Sequence, residues 1–338
     1  MIGKKNFRAA LSLLLMLLLT AMAIAEDRGR GEEGKTLKGR ALLWRNPDDI
    51  KSRNLLYGPG GEQDAPPKTV TFENEDMDGT SPKFVVHDEK GVKWKVKMGP
   101  EARPETVAAR LVWAVGYFAN EDYFLPELRV EAMTAHLRRG RQFVNSDGTA
   151  HNVRLKRYLQ DETKVGLWHW RDNPFLKTRE LNGLKVMMAL INNWDLKDDN
   201  NAIYHQNHPA ENIYMVSDLG GSFGTAGLGW TGNAKGNLAS YRRSKFISQV
   251  TPKYVDFNVP TRAAIIRIFD PPEYLMRLRL RWVCKHIPRE DVRWIDQLLT
   301  QLSSSQIRDA FRAAGYPPDQ VEGFAKVVEK RIAELGGI

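Results

Sequence analysis

The chain has 338 residues, of which 42% are hydrophobic and 27% are charged, with a single cysteine and a formal net charge of +9. This composition is typical of a globular protein with one large core or two modest ones, and it excludes a fold held together by internal disulfides. Lysine and arginine are spread along the whole sequence, so the positive charge allows attraction to phosphate groups or anionic surfaces but predicts no specific nucleic-acid partner.

The first 25 residues have the layout of a secretory signal peptide. Three basic residues precede an apolar run at 11–19, and the small-residue motif AIA follows at 23–25. The alternative, an uncleaved membrane anchor, would need a longer apolar run. We therefore expect an exported protein, periplasmic or extracellular, with no transmembrane segment after cleavage. Cleavage removes three positive charges and no negative one, which takes the net charge from +9 to +9 − 3 = +6.

Residues 26–68 are rich in charged residues, glycine and proline, which predicts a flexible and irregular leader. Three short strands follow at 69–74, 83–88 and 92–98, and the turn "EKG" joins the last two into a hairpin. From Pro104 onward the apolar residues recur at helical spacing, and a proline suits the first turn of a helix.

The rest of the chain is predicted to begin with further strands and to become mostly helical toward its end. A strand region at 123–133 and a hairpin at 139–159 precede a second helix over 178–192. Two more strands, a loop rich in glycine and serine at 219–245, and a mostly helical remainder complete the chain.

These elements predict an α+β fold in two parts. Residues 69–135 would form a small antiparallel β-sheet with one main helix, and residues 136–338 would form a larger, mostly helical part.

The second helix ends in a cluster of polar side chains. It comprises Asn192, Asn193, Asp195, Asp198, Asp199, Asn200 and Asn201. Asp195 and Asn200 have the spacing of an aspartate that orients an attacking hydroxyl and an asparagine that binds Mg²⁺, and Lys197 between them would neutralise charge on a transferred phosphoryl group. The simpler explanation is a solvated turn, where Asn and Asp are favoured because they hydrogen-bond to nearby backbone.

Groups suited to nucleotide phosphates and a second metal ligand lie elsewhere in the chain. On the strand at 92–98 alternation puts three lysines on one face, and Lys97, nearest the helix, is the predicted phosphate ligand, with Lys95 as the alternative. Glu105 is its predicted partner, with Glu101 as the alternative. Asp218, at the end of an apolar strand, would be the second metal ligand.

The turn between the first two strands would cover the phosphates with its backbone N–H groups. Its candidate ligands are Gly79, Thr80, Ser81 and Lys83.

This order of motifs resembles the protein-kinase-like superfamily. The stretches "GTSPKF" and "NNWDLKDDN" are most similar to the HipA-type serine/threonine kinases, whose phosphate loop has Gly-x-x-Pro-Lys and whose catalytic loop has Asn-x-Asp-x4-Asn. The resemblance implies a two-lobed ATP-binding fold with Asp195 as the base, Asn200 and Asp218 on Mg²⁺, and Lys97 on the phosphates.

Two functions follow from the resemblance. The first is an exported kinase-like enzyme that uses Mg-ATP and transfers the γ-phosphoryl group to a protein hydroxyl or a small molecule. The second is a catalytically inactive relative that serves as a binding or scaffold protein outside the cytoplasm.

Overall fold

The computed structural model describes residues 38–134, 136–225, 235–260 and 271–338. The predicted signal peptide, the first part of the leader and the middle of the 219–245 loop lie outside the described residues. The described strands are β1 (Arg40–Leu42), β2 (Thr69–Asp76), β3 (Lys83–His87), β4 (Lys93–Lys97), β5 (Asp122–Glu131), β6 (Thr149–Arg157), β7 (Glu162–Leu167), β8 (Asn201–Asn207), β9 (Ala210–Val216), β10 (Ile247–Val250), β11 (Tyr254–Phe257) and β12 (Ile287–Pro288). The described helices are α1 (Ala102–Ala114), α2 (Arg179–Leu190), α3 (Leu238–Arg243), α4 (Pro271–Arg279), α5 (Arg289–Leu299), α6 (Ser304–Ala313) and α7 (Pro318–Gly336).

Five strands form a closed barrel in the order β2-β3-β4-β6-β5, and parallel pairing of β2 with β5 closes it. Its interior is apolar and includes Phe84, Val96 and Leu155, all fully buried. Because side chains alternate along β4, Trp94 and Val96 pack inside the barrel, and Lys97 lies on the outer face, as predicted.

Strand β6 (Thr149–Arg157) belongs to the barrel, although the prediction assigns residues 136–338 to the second part. β6 pairs antiparallel with both β4 and β5, and Val153 and Leu155 on β6 fill the barrel. The connection from β5 to β6 is long, so the sequence around β6 was interpreted as a separate hairpin. Only the pairing of strands that are distant in sequence shows that β6 belongs to the barrel.

The described part of the leader, residues 38–68, is packed onto the fold and is not a flexible arm. Leu43, Ile50 and Leu55 are buried in the larger core, and β1 pairs in parallel with β9. These apolar side chains hold the segment in place. Because they are few and widely spaced among polar residues, they show neither the helix period nor the strand period in the sequence.

The second part combines a mixed sheet, in the order β1-β9-β8-β7, with helices that share one large hydrophobic core. Helix α2 begins where the Thr178 hydroxyl accepts a hydrogen bond from the Leu181 N–H at 3.2 Å, a common N-cap arrangement. Cys284 is buried and unpaired, as expected from its apolar neighbours. The two-part α+β architecture predicted from the sequence is therefore confirmed. Across the ranges that the structure describes, no helix combines the length and the apolarity needed to cross a bilayer.

Candidate active site

The ammonium group of Lys97 lies at the centre of three carboxylates where the barrel meets the second part. Its Nζ is 2.8 Å from Glu105, 3.1 Å from Glu101 and 3.2 Å from Asp218. Helix α1, whose N-cap is Glu101, begins only five residues after Lys97, so both glutamates of its first turns face the strand lysine. The sequence offered Glu105 or Glu101 as the partner of Lys97, and the structure pairs it with both.

Burial and charge act in opposite directions on this cluster. Lys97 is only 3% exposed, and burial alone would lower its pKa, but the carboxylates of Glu105, Asp218 and Glu101 raise it above its ordinary value. Burial would raise the pKa of Glu101, but Lys97, Lys235 and the hydroxyl of Ser81 hold it well below its usual range. The cluster is therefore stable as a set of charges that compensate each other.

Glu105 is supported from behind by a second cation. Arg154 on β6 lies opposite Lys97 in the strand register, and its Nη2 donates to Oε1 of Glu105 at 2.7 Å. Burial raises the pKa of Glu105, and Arg154 and Lys97 oppose that shift. Arg154 also forms an ion pair with the fully buried Asp122 at 3.2 Å, so the charge network continues into the barrel wall.

Several members of the polar cluster shape the loop after helix α2. Asn192 has a positive φ of 57° and ends the helical run. The side chain of Asn193 accepts a hydrogen bond from the backbone N–H of Asp195 at 3.0 Å. Asp198 accepts the backbone N–H of Trp170 at 3.0 Å, and Asn201 donates to the Trp168 carbonyl at 3.2 Å. The Asn193 contact is a local hydrogen bond of the kind that the simpler explanation predicted, whereas Asp198 and Asn201 contact residues 28 and 33 positions away in sequence.

Asn200 connects the loop to the end of strand β9. Its Nδ2 donates to the carbonyl of Asp195 at 2.7 Å, and its own carbonyl accepts the N–H groups of Ser217 at 2.7 Å and Asp218 at 3.3 Å. An amide oxygen such as that of Asn200 is a ligand type that Mg²⁺ accepts. A chain of contacts therefore links Lys97, Asp218, Asn200 and Asp195, and it passes through the carbonyls of Asn200 and Asp195.

Asp195 is itself held by a residue far away in sequence. Arg277 on α4 donates from Nη1 to Oδ1 of Asp195, and its guanidinium lies 4.7 Å from the centre of the Trp194 ring. Lys197 is half-buried and forms no ion pair with any residue in the described ranges. Its predicted role toward a phosphoryl group stays a prediction.

Two glycines after Asp218 allow the strand end to approach its neighbours. A Cβ on Gly220 would lie 2.8 Å from Cβ of Glu101, and one on Gly221 would lie 3.0 Å from Cβ of Asp195. Both distances are too short for a side chain without a shift of the neighbour. The Asp-Leu-Gly-Gly sequence therefore serves the close packing of α1, β9 and the loop at Asp195.

The predicted phosphate-covering turn lies beside this cluster. Ser81 donates to Oε2 of Glu101 at 2.7 Å, and Lys83 is 4.0 Å from Asp76, while Thr80 is exposed. Gly79 has a φ of 60°, and its carbonyl accepts a hydrogen bond from Nη1 of Arg139 at 2.6 Å. Lys95, the alternative to Lys97, is paired instead with Asp76 at 2.7 Å.

A cavity of about 710 Å³ lies where the chain passes from the barrel to the second sheet. It is bordered by the turn before β4, by the connection between β6 and β7, and by the end of β8. Lys93 lines it, two residues before Lys95 and four before Lys97 on β4. At about 3.3 Å per residue, the cavity is roughly 13 Å along the strand from the carboxylate cluster.

The oxygen groups at the site fit a hard divalent cation such as Mg²⁺. Oxygens of Glu101, Glu105 and Asp218 lie within 4.8 Å of one another, and the side chain of Asp218 is 41% exposed. Asn200, whose carbonyl accepts a hydrogen bond from the Asp218 N–H at 3.3 Å, would add an amide oxygen to these carboxylates.

Sequence reasoning did not identify Arg154, Lys235 or Arg277. Arg154 could be found only from the register of β6 on β4, and Arg277 is 82 residues from Asp195. Lys235 pairs with Oε1 of Glu101 from within the glycine-rich loop, where no pattern distinguishes one basic residue from another.

No protein-family model matches the chain, and no curated protein matches it either. Among solved structures it is similar to the Helicobacter pylori proinflammatory kinase CtkA, with 12% identity and a TM-score of 0.36 over 80% of this chain and 99% of that one. It is also similar to the Golgi casein kinase, with 11% identity and a TM-score of 0.38 over 81% of this chain and 71% of that one. The same kinase with Mn/ADP bound gives 11% identity and a TM-score of 0.37 over 81% and 72%. The three structures are of kinases, but at these TM-scores and identities the likeness carries no argument about this chain. The kinase-like resemblance, with its closer similarity to HipA-type kinases, stays a prediction.

Proposed function

We propose that this protein is a kinase-like phosphotransferase that binds Mg-ATP in the cleft between the barrel and the second part. The observation that carries the proposal is the contact of Lys97 with Glu101, Glu105 and Asp218, since it joins strand β4, helix α1 and the end of β9 around one point. Asn200 links that point to Asp195, because its carbonyl accepts a hydrogen bond from the Asp218 N–H at 3.3 Å and its side chain donates one to the Asp195 carbonyl at 2.7 Å. This is the arrangement that in-line phosphoryl transfer needs.

Each residue has a role that its surroundings support. Lys97 would bind the nucleotide phosphates, and Asn200 and Asp218 would hold Mg²⁺. When bound, the metal would neutralise phosphate charge and orient the terminal phosphate. Asp195 would orient the acceptor hydroxyl and take its proton, because one of its oxygens is free of Arg277 and its side chain is 26% exposed.

The rest of the nucleotide would extend along β4. The cavity beside Lys93 lies about 13 Å from Lys97, a span that suits the distance from the base to the terminal phosphates. Tyr158 in the connection between β6 and β7 offers an aromatic ring at the cavity wall.

One observation favours the inactive alternative. The carboxylate of Glu101 already binds the hydroxyl of Ser81 and the ammonium groups of Lys97 and Lys235. A phosphate group would use these same three donors. A nucleotide has to displace this internal carboxylate before it can bind. If displacement is too costly, the same fold would serve as a binding module.

We also propose export, on the basis of the signal-peptide pattern in residues 1–25. The acceptor is proposed to be a protein hydroxyl or a small molecule. Expression of the protein with its predicted signal peptide, followed by N-terminal sequencing of the product, tests export. An unprocessed N-terminus in the cytoplasmic fraction would contradict it.

Thermal melting with and without Mg²⁺ and ATP tests the nucleotide site. A ligand at a hundredfold excess over its dissociation constant stabilises the folded state by about 2.7 kcal/mol. We expect this shift for the wild type and for Asp195→Ala, and its loss in Asp218→Ala. Asp199→Ala is the matched control, since Asp199 lies in the same loop but is exposed.

Transfer of labelled γ-phosphate separates chemistry from binding. Asp195→Ala should lose transfer while keeping the nucleotide-dependent shift, and Asp199→Ala should keep both. A wild type that shows no shift would favour the inactive alternative.

A further inference from the structure

Arg277 makes an unusual set of contacts for a helical arginine. It is only 4% exposed, although it lies on the short helix α4. Its Nη1 donates to Oδ1 of Asp195 and to the carbonyl of Trp194 at 3.4 Å, and its guanidinium stacks on the Trp194 ring. Each of these contacts is with the loop that carries the proposed base.

The burial pattern of α4 shows that Arg277 is not buried merely because its helix is. Leu275 is 48% exposed and Leu278 is 38% exposed, so two apolar side chains of α4 face solvent while the guanidinium is enclosed. A helix that only needed an anchor in the core would bury its leucines first, because burial of apolar surface is favourable and burial of a charge is not. The side of α4 that is buried is therefore the one that carries Arg277, and it faces Asp195.

The contacts of Asp195 show what Arg277 adds. The backbone of Asp195 is fixed on both sides, by the Asn193 side chain at its N–H and by the Asn200 side chain at its carbonyl. Its side chain could still rotate if nothing held it. Arg277 binds one carboxylate oxygen and so restricts this rotation, while the side chain of Asp195 stays 26% exposed.

We propose that Arg277 is a positioning residue for Asp195, which makes phosphoryl transfer depend on the docking of helix α4. This inference rests on the proposed function, since it assumes that Asp195 orients the acceptor hydroxyl. The rate of such a step is sensitive to small displacements of the group that orients the reactants. Arg277 would thus affect turnover and leave nucleotide binding at Lys97 and Asp218 intact.

The test compares Arg277→Met and Arg277→Lys with Arg279→Met, which removes the same charge from an exposed position on the same helix. With saturating Mg-ATP, we expect kcat to fall roughly 100-fold in Arg277→Met and about tenfold in Arg277→Lys. The KM for ATP and the ATP-dependent rise in Tm should change less than about twofold in both. Arg279→Met should behave like the wild type.

Chemical rescue distinguishes positioning from general destabilisation. Guanidinium at a concentration below that which lowers Tm should restore kcat of Arg277→Met by about tenfold or more, because it can occupy the space left beside Asp195. If Arg277→Met does not fold, full activity of Arg277→Lys would still overturn the inference.

Other outcomes would also overturn it. An unchanged kcat, a kcat that falls without rescue by guanidinium, or a higher kcat, which would make Arg277 an inhibitory latch, each contradicts a positioning role. A wild type without any transfer would overturn the proposed function together with this inference. Transfer by the wild type with no effect of the Arg277 variants would overturn the inference alone.

Discussion

Helix α1 carries buried charges at both of its ends, but the two ends differ in what surrounds them. At the N-terminal end, Glu101 and Glu105 meet Lys97 and Asp218, and the side chain of Asp218 is open to the cleft. Toward the C-terminal end, Arg110 is enclosed by the loop at 57–61 and the Tyr123 ring, 5.4 Å away.

The enclosure of Arg110 is tight. A Cβ on Gly58 would lie 2.0 Å from its Nη1, and one on Gly60 would lie 2.2 Å from the Tyr123 hydroxyl. Burial lowers the pKa of Arg110 to about 10, although Asp122 opposes the shift. Nε and Nη1 of Arg110 have no hydrogen-bond partner in the described residues, and the glycine loop leaves no space beside Nη1 for a ligand.

The comparison shows that a buried charge alone does not indicate a functional site. Both ends of α1 have charged groups with strongly shifted pKa values. What distinguishes the Lys97 end is that its network continues to exposed oxygen ligands, so that a ligand can reach it. Shifted pKa values mark functional sites only in combination with an accessible cleft.

The largest expected difference between the two ends comes from replacing one charge at each. Glu105→Gln keeps the shape of the side chain but leaves Lys97 and Arg154 with one carboxylate fewer, so phosphoryl transfer should fall roughly 100- to 1000-fold. Arg110→Met keeps similar volume and should lower the free energy of unfolding by up to about 2 kcal/mol without changing kcat. Steady-state kinetics and urea unfolding measure the two effects. A large loss of kcat in Arg110→Met would make the back of α1 part of the site.

The tightness of the back cluster leads to a second prediction. Gly58→Ala would place a methyl group against Arg110 at a φ of 74°, so we expect a loss of about 2–4 kcal/mol in the free energy of unfolding. Gly91→Ala is the matched control, because its φ is 76° but a Cβ there has nothing within 4 Å. It should cost only the left-handed backbone penalty of about 1 kcal/mol. Equal losses in urea unfolding would mean that the loop at 57–61 can move away from Arg110.

These two ends also show how far the sequence alone could lead. Lys97, Glu105, Asp195, Asn200 and Asp218 were predicted from strand alternation and from the spacing of polar residues after an apolar helix and strand. Such patterns are local, and each local element lies within two residues of where it was expected. Their convergence in one site is what the structure adds.

The rest depended on contacts between distant parts of the chain. The packing of residues 57–61 around Arg110 depends on the position of helix α1, whereas the sequence predicts only an irregular leader there. The pairing of Arg154 with Glu105 needed the closure of the barrel, and the pairing of Arg277 with Asp195 needed the placement of α4. No pattern of one sequence encodes such contacts in a way that periodicity or propensity can detect.

A smaller effect is expected at the functional end from Gly220→Ala. The added methyl group would lie 2.9 Å from Oε2 of Glu101 and would push that carboxylate away from Ser81 and Lys97. At saturating Mg-ATP turnover should fall roughly tenfold, because the strand end at Asp218 and helix α1 separate by a fraction of an ångström, although ATP should bind more easily where Glu101 leaves Ser81 and Lys97. Gly166→Ala in strand β7 is the control, since a Cβ there meets nothing within 4 Å. Enzyme kinetics with the two variants would contradict this picture if both behaved alike.

The smallest effect concerns the pH dependence of stability. Burial would raise the pKa of Glu101, but Lys97 and Lys235 lower it below its ordinary 4.5, so its contribution to stability is present above that pH and is lost as the pH falls. Asp218 acts with the same sign, whereas Glu105, whose pKa is raised by burial, acts in the opposite direction.

Urea unfolding of the nucleotide-free protein between pH 6 and pH 3 measures this contribution. We expect Glu101→Gln to flatten the decline in the free energy of unfolding by on the order of 1 kcal/mol, and the exposed control Glu89→Gln to leave it unchanged. Above pH 6, the same Glu101→Gln variant should bind ATP more tightly than the wild type if the carboxylate competes with phosphate for Ser81 and Lys97. Weaker binding would instead mean that Glu101 assists the nucleotide through the metal, and it would remove the one observation that favours an inactive protein.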